Sequence, residues 1–297
     1  MAAEEQVSNI SGKTRIVALL GHPVGHTLSP RMQNAAFRSV GLDCCYVAFD
    51  VQPSSLPDAV LGMRALGLLG ANVTIPHKES VSALLDEVDS EAVFIGAVNT
   101  IVNRNGRLCG YNTDGLGFMR SLVDENIAAA GKQVLILGAG GAARAVAYYL
   151  AQEAAELVLA NRTPEKAERL AADLTGLGAG VRGVSMEDIQ HAAFLDDMDI
   201  IIHATSSGLN PSDPPLIDSS LFNERQVVCD LIYRDTPLVL GARQAGARTL
   251  TGLGMLLWQG VLAFELWTTL AAPVDIMRHA LMESRQNSAE GSKRGNQ

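Results

Sequence analysis

The sequence predicts an α/β protein of two open-sheet domains, and three observations predict it. Short apolar strands alternate with helix-length segments along most of the 297 residues, and such alternation implies β-α-β units with helices on the faces of a sheet. The alternation runs twice, from residue 15 and again from residue 132, and a chain of this length can bury two modest cores. Hydrophobic residues at 47% against charged residues at 19% suit packed cores rather than disorder.

In order, "RIVALLG" (15–21) reads as a buried strand of β-branched and aliphatic residues stopped by Gly21. "SPRMQNAAFRSVG" reads as a helix with Ser29 as N-cap, Pro30 at its first position and Gly41 past its end. "CCYVAFDV" is a second strand and "LLGANVTI" a third, ended by Pro76, with "HKESVSALLDEV" following as a helix. The second run opens with the strand "KQVLILG", the small-residue helix "GAARAVAYYLAQEA" and the strand "ELVLA". Further strands are "DIIIHAT" and "VVCDLIY", separated by the turn-rich "SGLNPSDPP". "GLGMLLWQGVLAFELWTTL" is a long helix apolar on all sides, as expected of one packed between layers or across a domain junction. The polar stretch 286–297 is expected to be disordered.

Composition narrows the partners. With 23 Lys+Arg against 32 Asp+Glu the net charge is −9, which repels nucleic acid and anionic membranes at long range. No run of about 18 apolar residues suggests a membrane span, and "MAAEEQVSNISGK" has no apolar core of a signal peptide. Cys44, Cys45, Cys109 and Cys229 lack paired spacing, so free thiols and a cytoplasmic location are expected. His22, His26 and His77 have no spaced metal partners and read as loop or packing residues. Met32, Phe37, Met63 and Met255 read as core before site, with Met255 also a candidate for a ligand pocket, and Trp258 and Trp267 as packing anchors. The oligomeric state is open, a homodimer included.

Gly138-Ala139-Gly140-Gly141-Ala142-Ala143 matches G-x-G-x-x-A between a strand and a helix, the context that gives the pattern meaning. Gly138 allows the tight turn, Gly140 lets backbone approach a pyrophosphate, and Ala143 permits close helix-strand packing. This half is therefore Rossmann-like and dinucleotide-binding. An acidic residue expected about 20 residues later is replaced by Asn161 and Arg162 at the end of "ELVLA". An arginine fork suits a phosphate, whereas a ribose hydroxyl needs an acceptor. With Thr163 as N-cap and Pro164 in the first turn, Lys166 opposes the helix dipole at a cost of about 0.3 to 1 kcal/mol that a bound phosphate would offset. Arg162 and Lys166 are thus expected to grip the 2′-phosphate of NADP, with Asn161 and Thr163 adding hydrogen bonds. The alternative is a solvated helix start with Lys166 paired to Glu165 or Glu168.

Four polar clusters, "GHPVGHTLSP", "NVTIPHKE", "GAVNT" and "GYNTDG", fall at strand ends and loops of the first half. Ligands of open α/β sheets bind at such ends, and hydroxyls, amides, one lysine and one aspartate suit a small polyhydroxylated acid. In these motifs, together with "GAGGAAR", "NRT", "TSSGL" and "GMLLWQGVLAFELW", the chain resembles the shikimate dehydrogenase family over residues 14–285. The resemblance implies reversible reduction of 3-dehydroshikimate to shikimate by NADPH, a step toward aromatic amino acids. It implies Lys78 and Asp114 as the catalytic pair. It implies Thr27 and Ser29 at the substrate carboxylate, assisted by Tyr233, and Thr74, Asn99 and Gln259 at the ring hydroxyls. It also implies Thr205, Ile232, Gly252 and Met255 at the cofactor, Met255 lining the nicotinamide pocket. The implied organisation is a substrate-binding catalytic domain at 1–114 plus about 252–285 and an NADP-binding domain at 115–251, with the C-terminal helix returning to the first.

Reducing a ketone requires a proton for the developing alkoxide, and a lysine, ordinarily protonated at neutral pH, serves as acid and electrostatic stabiliser there. Whether Lys78 transfers that proton, or positions the oxygen while Asp114 or water carries it, stays open. Two departures from the family stand out. Thr27 replaces the usual first serine, which opens the choice between shikimate and quinate, and His203 stands where asparagine is expected before "ATS". A catabolic quinate/shikimate dehydrogenase is the near alternative. A ligand sensor without turnover is the distant one, disfavoured because the lysine and aspartate are present and no DNA-binding segment is visible.

Overall fold

The computed structural model describes residues 10–210 and 213–283; the tail expected to be disordered lies outside the described residues. The described chain falls into two compact units, 10–113 with 260–283, and 114–259. The second boundary lies inside the long C-terminal helix, later than the expected residue 252.

The first unit carries β1 (Arg15–Gly21), α1 (Ser29–Ser39), β2 (Cys44–Asp50), α2 (Leu56–Ala65), β3 (Gly70–Val73), β4 (Glu87–Val88), α3 (Ser90–Ile95), β5 (Thr100–Arg104) and β6 (Arg107–Tyr111). Its sheet has the order β2-β1-β3-β5-β6-β4. The strands β2, β1 and β3 run parallel, but β5 is antiparallel to both β3 and β6. The sheet is therefore mixed rather than wholly parallel. Its hairpin turns at Asn105 and Gly106, both at positive φ (55° and 91°), the conformation that Asn-Gly adopts in two-residue turns.

Two expectations are corrected here. Residues 77–88 do not form a helix: a 3-10 turn at Val81–Leu84 is followed by β4. The Asp86 N–H donates to the Leu108 carbonyl, its carboxylate accepts from the Leu108 N–H, and β4 pairs with β6, so sheet-edge bonds take the residues that helix propensity had claimed. Ser29 is not an N-cap but the first residue of α1, after Leu28, and no side chain caps that helix.

The second unit carries α4 (Asp114–Asp124), β7 (Gln133–Leu137), α5 (Gly141–Glu153), β8 (Glu156–Asn161), α6 (Pro164–Leu174), β9 (Gly180–Ser185), α7 (Ala192–Leu195), β10 (Ile200–His203), β11 (Val227–Asp230), α8 (Pro237–Gln244), β12 (Arg248–Leu250) and the first part of α9 (Leu253–Thr268). The order β12-β11-β10-β7-β8-β9 is parallel at every pairing, with the first strand of the unit in the middle and the direction of winding reversing there. Val134, Ile136, Leu157 and Leu159 face a core shared with α4, α5 and α6, while Leu135, Leu137, Val158 and Ala160 face a core shared with α7 and α8. Both faces are covered, which is why these strands read as unbroken apolar runs.

No residue of α9 is exposed, in keeping with its all-round apolar sequence. In the first unit, Phe264 packs on Phe37 at 5.4 Å between centroids and Trp267 donates its ring N–H to the Ile101 carbonyl at 2.9 Å. Gly70 is small because a Cβ there would collide with the Trp267 ring. In the second unit, Met255 joins the core and the Trp258 ring N–H donates to Asp124 at 2.8 Å.

Candidate active site

In the first unit, one edge of the sheet gathers Thr27, Ser29, Thr74, Lys78 and Asn99. The segment after β1 carries Thr27, whose hydroxyl accepts from the Ser29 N–H at 3.3 Å. Beyond β3, the Thr74 N–H donates to the Leu20 carbonyl, and Gly21 lacks a Cβ because one there would collide with the Thr74 methyl. Lys78 sits in the turn that follows, half-buried, and its carbonyl accepts from the Val98 N–H at 2.8 Å. That bond places Lys78 beside Asn99, at the start of antiparallel β5.

Beneath these residues runs a buried polar network. The Tyr46 hydroxyl donates to Asn72 Oδ1 at 2.8 Å, and Asn72 Nδ2 donates to the Asn99 carbonyl and to Thr100 Oγ1, both at 3.1 Å. Asn99 Oδ1 accepts from Thr100 Oγ1 (2.9 Å) and from the Thr113 N–H (2.8 Å), while its Nδ2 donates to Thr113 Oγ1 (3.0 Å). Ser29 also bonds Tyr46, against burial that pushes the Tyr46 hydroxyl far above its ordinary range. All these groups are neutral amides and hydroxyls, each at most 7% exposed, and each finds a partner, as buried polar groups must.

Asp114, Tyr233 and Gln259 belong to the second unit. Asp114 opens α4 at 4% exposure, where the helix dipole favours a carboxylate. Burial raises the Tyr233 hydroxyl above its ordinary range, with Arg234 acting against that rise. Gln259 is buried and donates to the Leu256 carbonyl of its own helix at 2.8 Å.

The strand ends of the second unit are aligned by the ladder: Leu137 lies opposite Ala160 of β8 and opposite His203 of β10, which lies opposite Asp230 of β11. Gly138, just past β7, has φ 118°, a conformation that side chains disfavour, and its N–H donates to the Ala160 carbonyl at 2.7 Å. A Cβ on Gly138 would stand 2.9 Å from the Ala204 carbonyl and 3.2 Å from the Thr205 methyl, so the end of β10 closes directly on the loop. Gly140 caps α5 with extended backbone, no side-chain cap and open space around it. The first-turn N–H groups of α5 are thereby left to an anion. Ala143, fully buried, packs in the core beneath.

At the end of β8, Asn161 Nδ2 donates to the Thr163 carbonyl at 2.9 Å, and Thr163 precedes α6 without capping it by side chain. Arg162 and Lys166 are exposed, and among the described residues neither forms an ion pair; the expected alternative, Lys166 paired to Glu165 or Glu168, is not formed. The Gly-rich loop, the open first turn of α5 and these two cations fit a phosphorylated dinucleotide. At the end of β11, Ile232 is nearly buried and its carbonyl accepts from the Gly252 N–H at 3.0 Å. A Cβ on Gly252 would collide with the Leu231 carbonyl.

Residues 19–101 match the shikimate dehydrogenase substrate binding domain, 121–225 the shikimate / quinate 5-dehydrogenase domain and 252–282 the shikimate 5'-dehydrogenase C-terminal domain. The chain belongs to the shikimate dehydrogenase family. It is 48% identical to the shikimate dehydrogenase (NADP(+)) of Moorella thermoacetica, over 96% of this chain and 99% of the relative. A shikimate dehydrogenase solved in complex with NADP+ superposes with TM-score 0.86 at 43% identity, covering 92% of this chain and 96% of that one. The family's enzyme from Thermus thermophilus, solved with NADP(H) and shikimate, superposes with TM-score 0.81 at 40% identity, covering 91% and 99%. Among the described residues no helix is long and apolar enough to cross a membrane.

Several residues that build the site were not anticipated from this family's motifs. Asn72, Tyr46 and Thr113 hold the first edge from below, and Asp230 and Thr236 hold the second. Their signal was a polar residue inside an apolar strand: Asn72 in "LLGANVTI" and Asp230 in "VVCDLIY". His77 is buried with Nε2 2.7 Å from the Val51 carbonyl, and His22, just after β1, lies with Nδ1 2.6 Å from Asp50 Oδ1.

Proposed function

We infer that this chain is an NADP-dependent shikimate dehydrogenase, catalysing the reversible reduction of 3-dehydroshikimate to shikimate in aromatic amino acid biosynthesis. The observation that carries the reading is the gathering of Thr27, Ser29, Thr74, Lys78 and Asn99 at one sheet edge, in a chain whose other sheet presents Arg162 and Lys166 at the end of β8.

Bound NADPH supplies the hydride for the carbonyl carbon. The Lys78 ammonium stabilises the developing alkoxide and, with Asp114, delivers the proton that completes the new hydroxyl. Thr27 and Ser29, with Tyr233, hold the substrate carboxylate. Thr74, Asn99 and Gln259 hold the ring hydroxyls, and the network under Asn99 keeps its amide from turning. Arg162 and Lys166 take the 2′-phosphate, with Asn161 and Thr163 beside them. Gly138 to Ala142 take the pyrophosphate above the buried Ala143, and Thr205, Ile232, Gly252 and Met255 the remainder of the cofactor. Four free cysteines support a reducing, cytoplasmic setting.

Initial rates with shikimate and with quinate, each crossed with NADP and NAD and followed by nicotinamide absorbance, test the reading. The expected outcome is clear preference for shikimate with NADP. Faster turnover of quinate, which adds a hydroxyl at the carboxylate-bearing carbon near Thr27, makes the enzyme catabolic instead.

A further inference from the structure

Two buried side chains, His203 and Asp230, and the half-buried Thr205 form a relay under the cofactor edge of the second sheet. His203 is 1% exposed and Asp230 1%. His203 Nδ1 lies 2.9 Å from Asp230 Oδ2 and His203 Nε2 lies 2.6 Å from Thr205 Oγ1. Asp230 Oδ2 also accepts from the Thr236 hydroxyl at 2.6 Å, and Oδ1 from the Ile232 N–H at 2.8 Å. The Thr205 hydroxyl accepts the Ser207 N–H at 3.1 Å, while its methyl abuts Gly138 of the glycine-rich loop.

We propose that His203 is a positioning residue for the cofactor, acting through Thr205. Hydrogen-bond direction assigns this role to His203, given the NADP reading of the site. A carboxylate accepts only, so the imidazole proton facing Asp230 resides on Nδ1. In the neutral ring Nε2 then carries a lone pair, and the single proton of the Thr205 hydroxyl points inward to it. Thr205 therefore turns an acceptor, not a donor, toward the cofactor. The same carboxylate holds Ile232, so one buried pair ties the ends of β10 and β11 to a common geometry.

The strand order supplies a control. Arg162 follows β8 and Thr205 follows β10, on opposite sides of β7, so 2′,5′-ADP, which carries the 2′-phosphate and only the adenosine-side phosphate of the bridging pair, lies over β8 and the glycine-rich loop and lacks the nicotinamide half that passes toward β10. Calorimetric titration of the full chain with NADP and with 2′,5′-ADP tests the proposal in His203→Asn, Thr205→Val and the double variant. Asn keeps a donor near Nδ1 for Asp230 but does not reach Thr205. Loss of one neutral hydrogen bond weakens NADP by about three- to tenfold in each single variant. The double variant is expected to be no weaker than the worse single one, because both act on the same hydroxyl, and 2′,5′-ADP affinity is expected to hold within about twofold. Nitrogen-15 NMR of the wild-type histidine rings reads the tautomer directly, with Nδ1 protonated and Nε2 bare. Unchanged NADP affinity in His203→Asn, multiplying effects in the double variant, equal weakening of 2′,5′-ADP, or a protonated Nε2 overturns the proposal. Wild-type protein that binds neither ligand overturns the cofactor reading and this proposal with it.

Discussion

The two sheets keep polar groups at their working edges in different ways. Under the first lies a network of neutral amides and hydroxyls, Tyr46, Asn72, Asn99, Thr100 and Thr113, anchored where Asn72 Nδ2 donates to the Asn99 carbonyl and Asn99 Oδ1 accepts from the Thr113 N–H. Under the second lies the buried carboxylate of Asp230, on which three donors converge. A carboxylate only accepts, whereas amides and hydroxyls each offer both a donor and an acceptor. The first edge thus suits a substrate of several hydroxyls, whose own donors and acceptors vary around a ring. The second suits one invariant cofactor that must be seated the same way in every turnover.

The sharpest break between the edges is chemical. Lys78→Ala is expected to lower kcat by about 10²- to 10⁴-fold, the usual worth of a positioned proton donor, with a much smaller change in the KM for shikimate. Steady-state kinetics decide it: loss confined to KM would make Lys78 a binding group.

Next in size is removal of the carboxylate. Asp230→Ala leaves three buried donors without their acceptor, each at about 1 to 3 kcal/mol, so urea unfolding should register a loss of about 3 kcal/mol or more. Asn72→Ala in the neutral network should cost less, about 1 to 3 kcal/mol, because Tyr46 and Thr100 can turn to other partners. Equal losses in the two variants would erase the distinction drawn between the networks.

The smallest effect is expected outside both. Bonds from the Leu108 N–H and from Arg64 hold the Asp86 carboxyl below its usual range. A depressed carboxylate contributes stability above its unfolded pKa, about 3.9, and loses it as pH falls through the folded value. Wild type should therefore lose more of its urea midpoint between pH 7 and pH 3 than Asp86→Asn does. Parallel acid limbs in the two proteins would remove that contribution.

How far these features could be read in advance follows the same division. The second sheet was legible because its physics is local: apolar strands, a glycine needing positive φ at Gly138, and a helix opening at Gly141 with no side-chain cap. The first was partly hidden. The Asn105-Gly106 turn stood in the sequence as "RNGR", a hairpin signal, yet "GAVNT" and "GYNTDG" read as loops around it. Residues 77–88 carried helix-forming leucines and glutamates, but the bonds between Asp86 and Leu108 are 22 positions apart, beyond any periodicity. Asp230 and Asn72 were visible only as polar letters in apolar runs, since their partners arrive from other strands and loops.

The central claim is that the end of β8 reads a phosphate rather than a ribose hydroxyl. It is tested most directly by kcat/KM for NADP over NAD, with shikimate, in wild type and in Arg162→Ala/Lys166→Ala. Hydrogen bonds to a charged group are worth about 1.5 to 3 kcal/mol each, so the selectivity for NADP should fall by about tenfold to a hundredfold or more, with NAD kinetics nearly unchanged. A ratio that stays constant when both cations are removed would contradict the account.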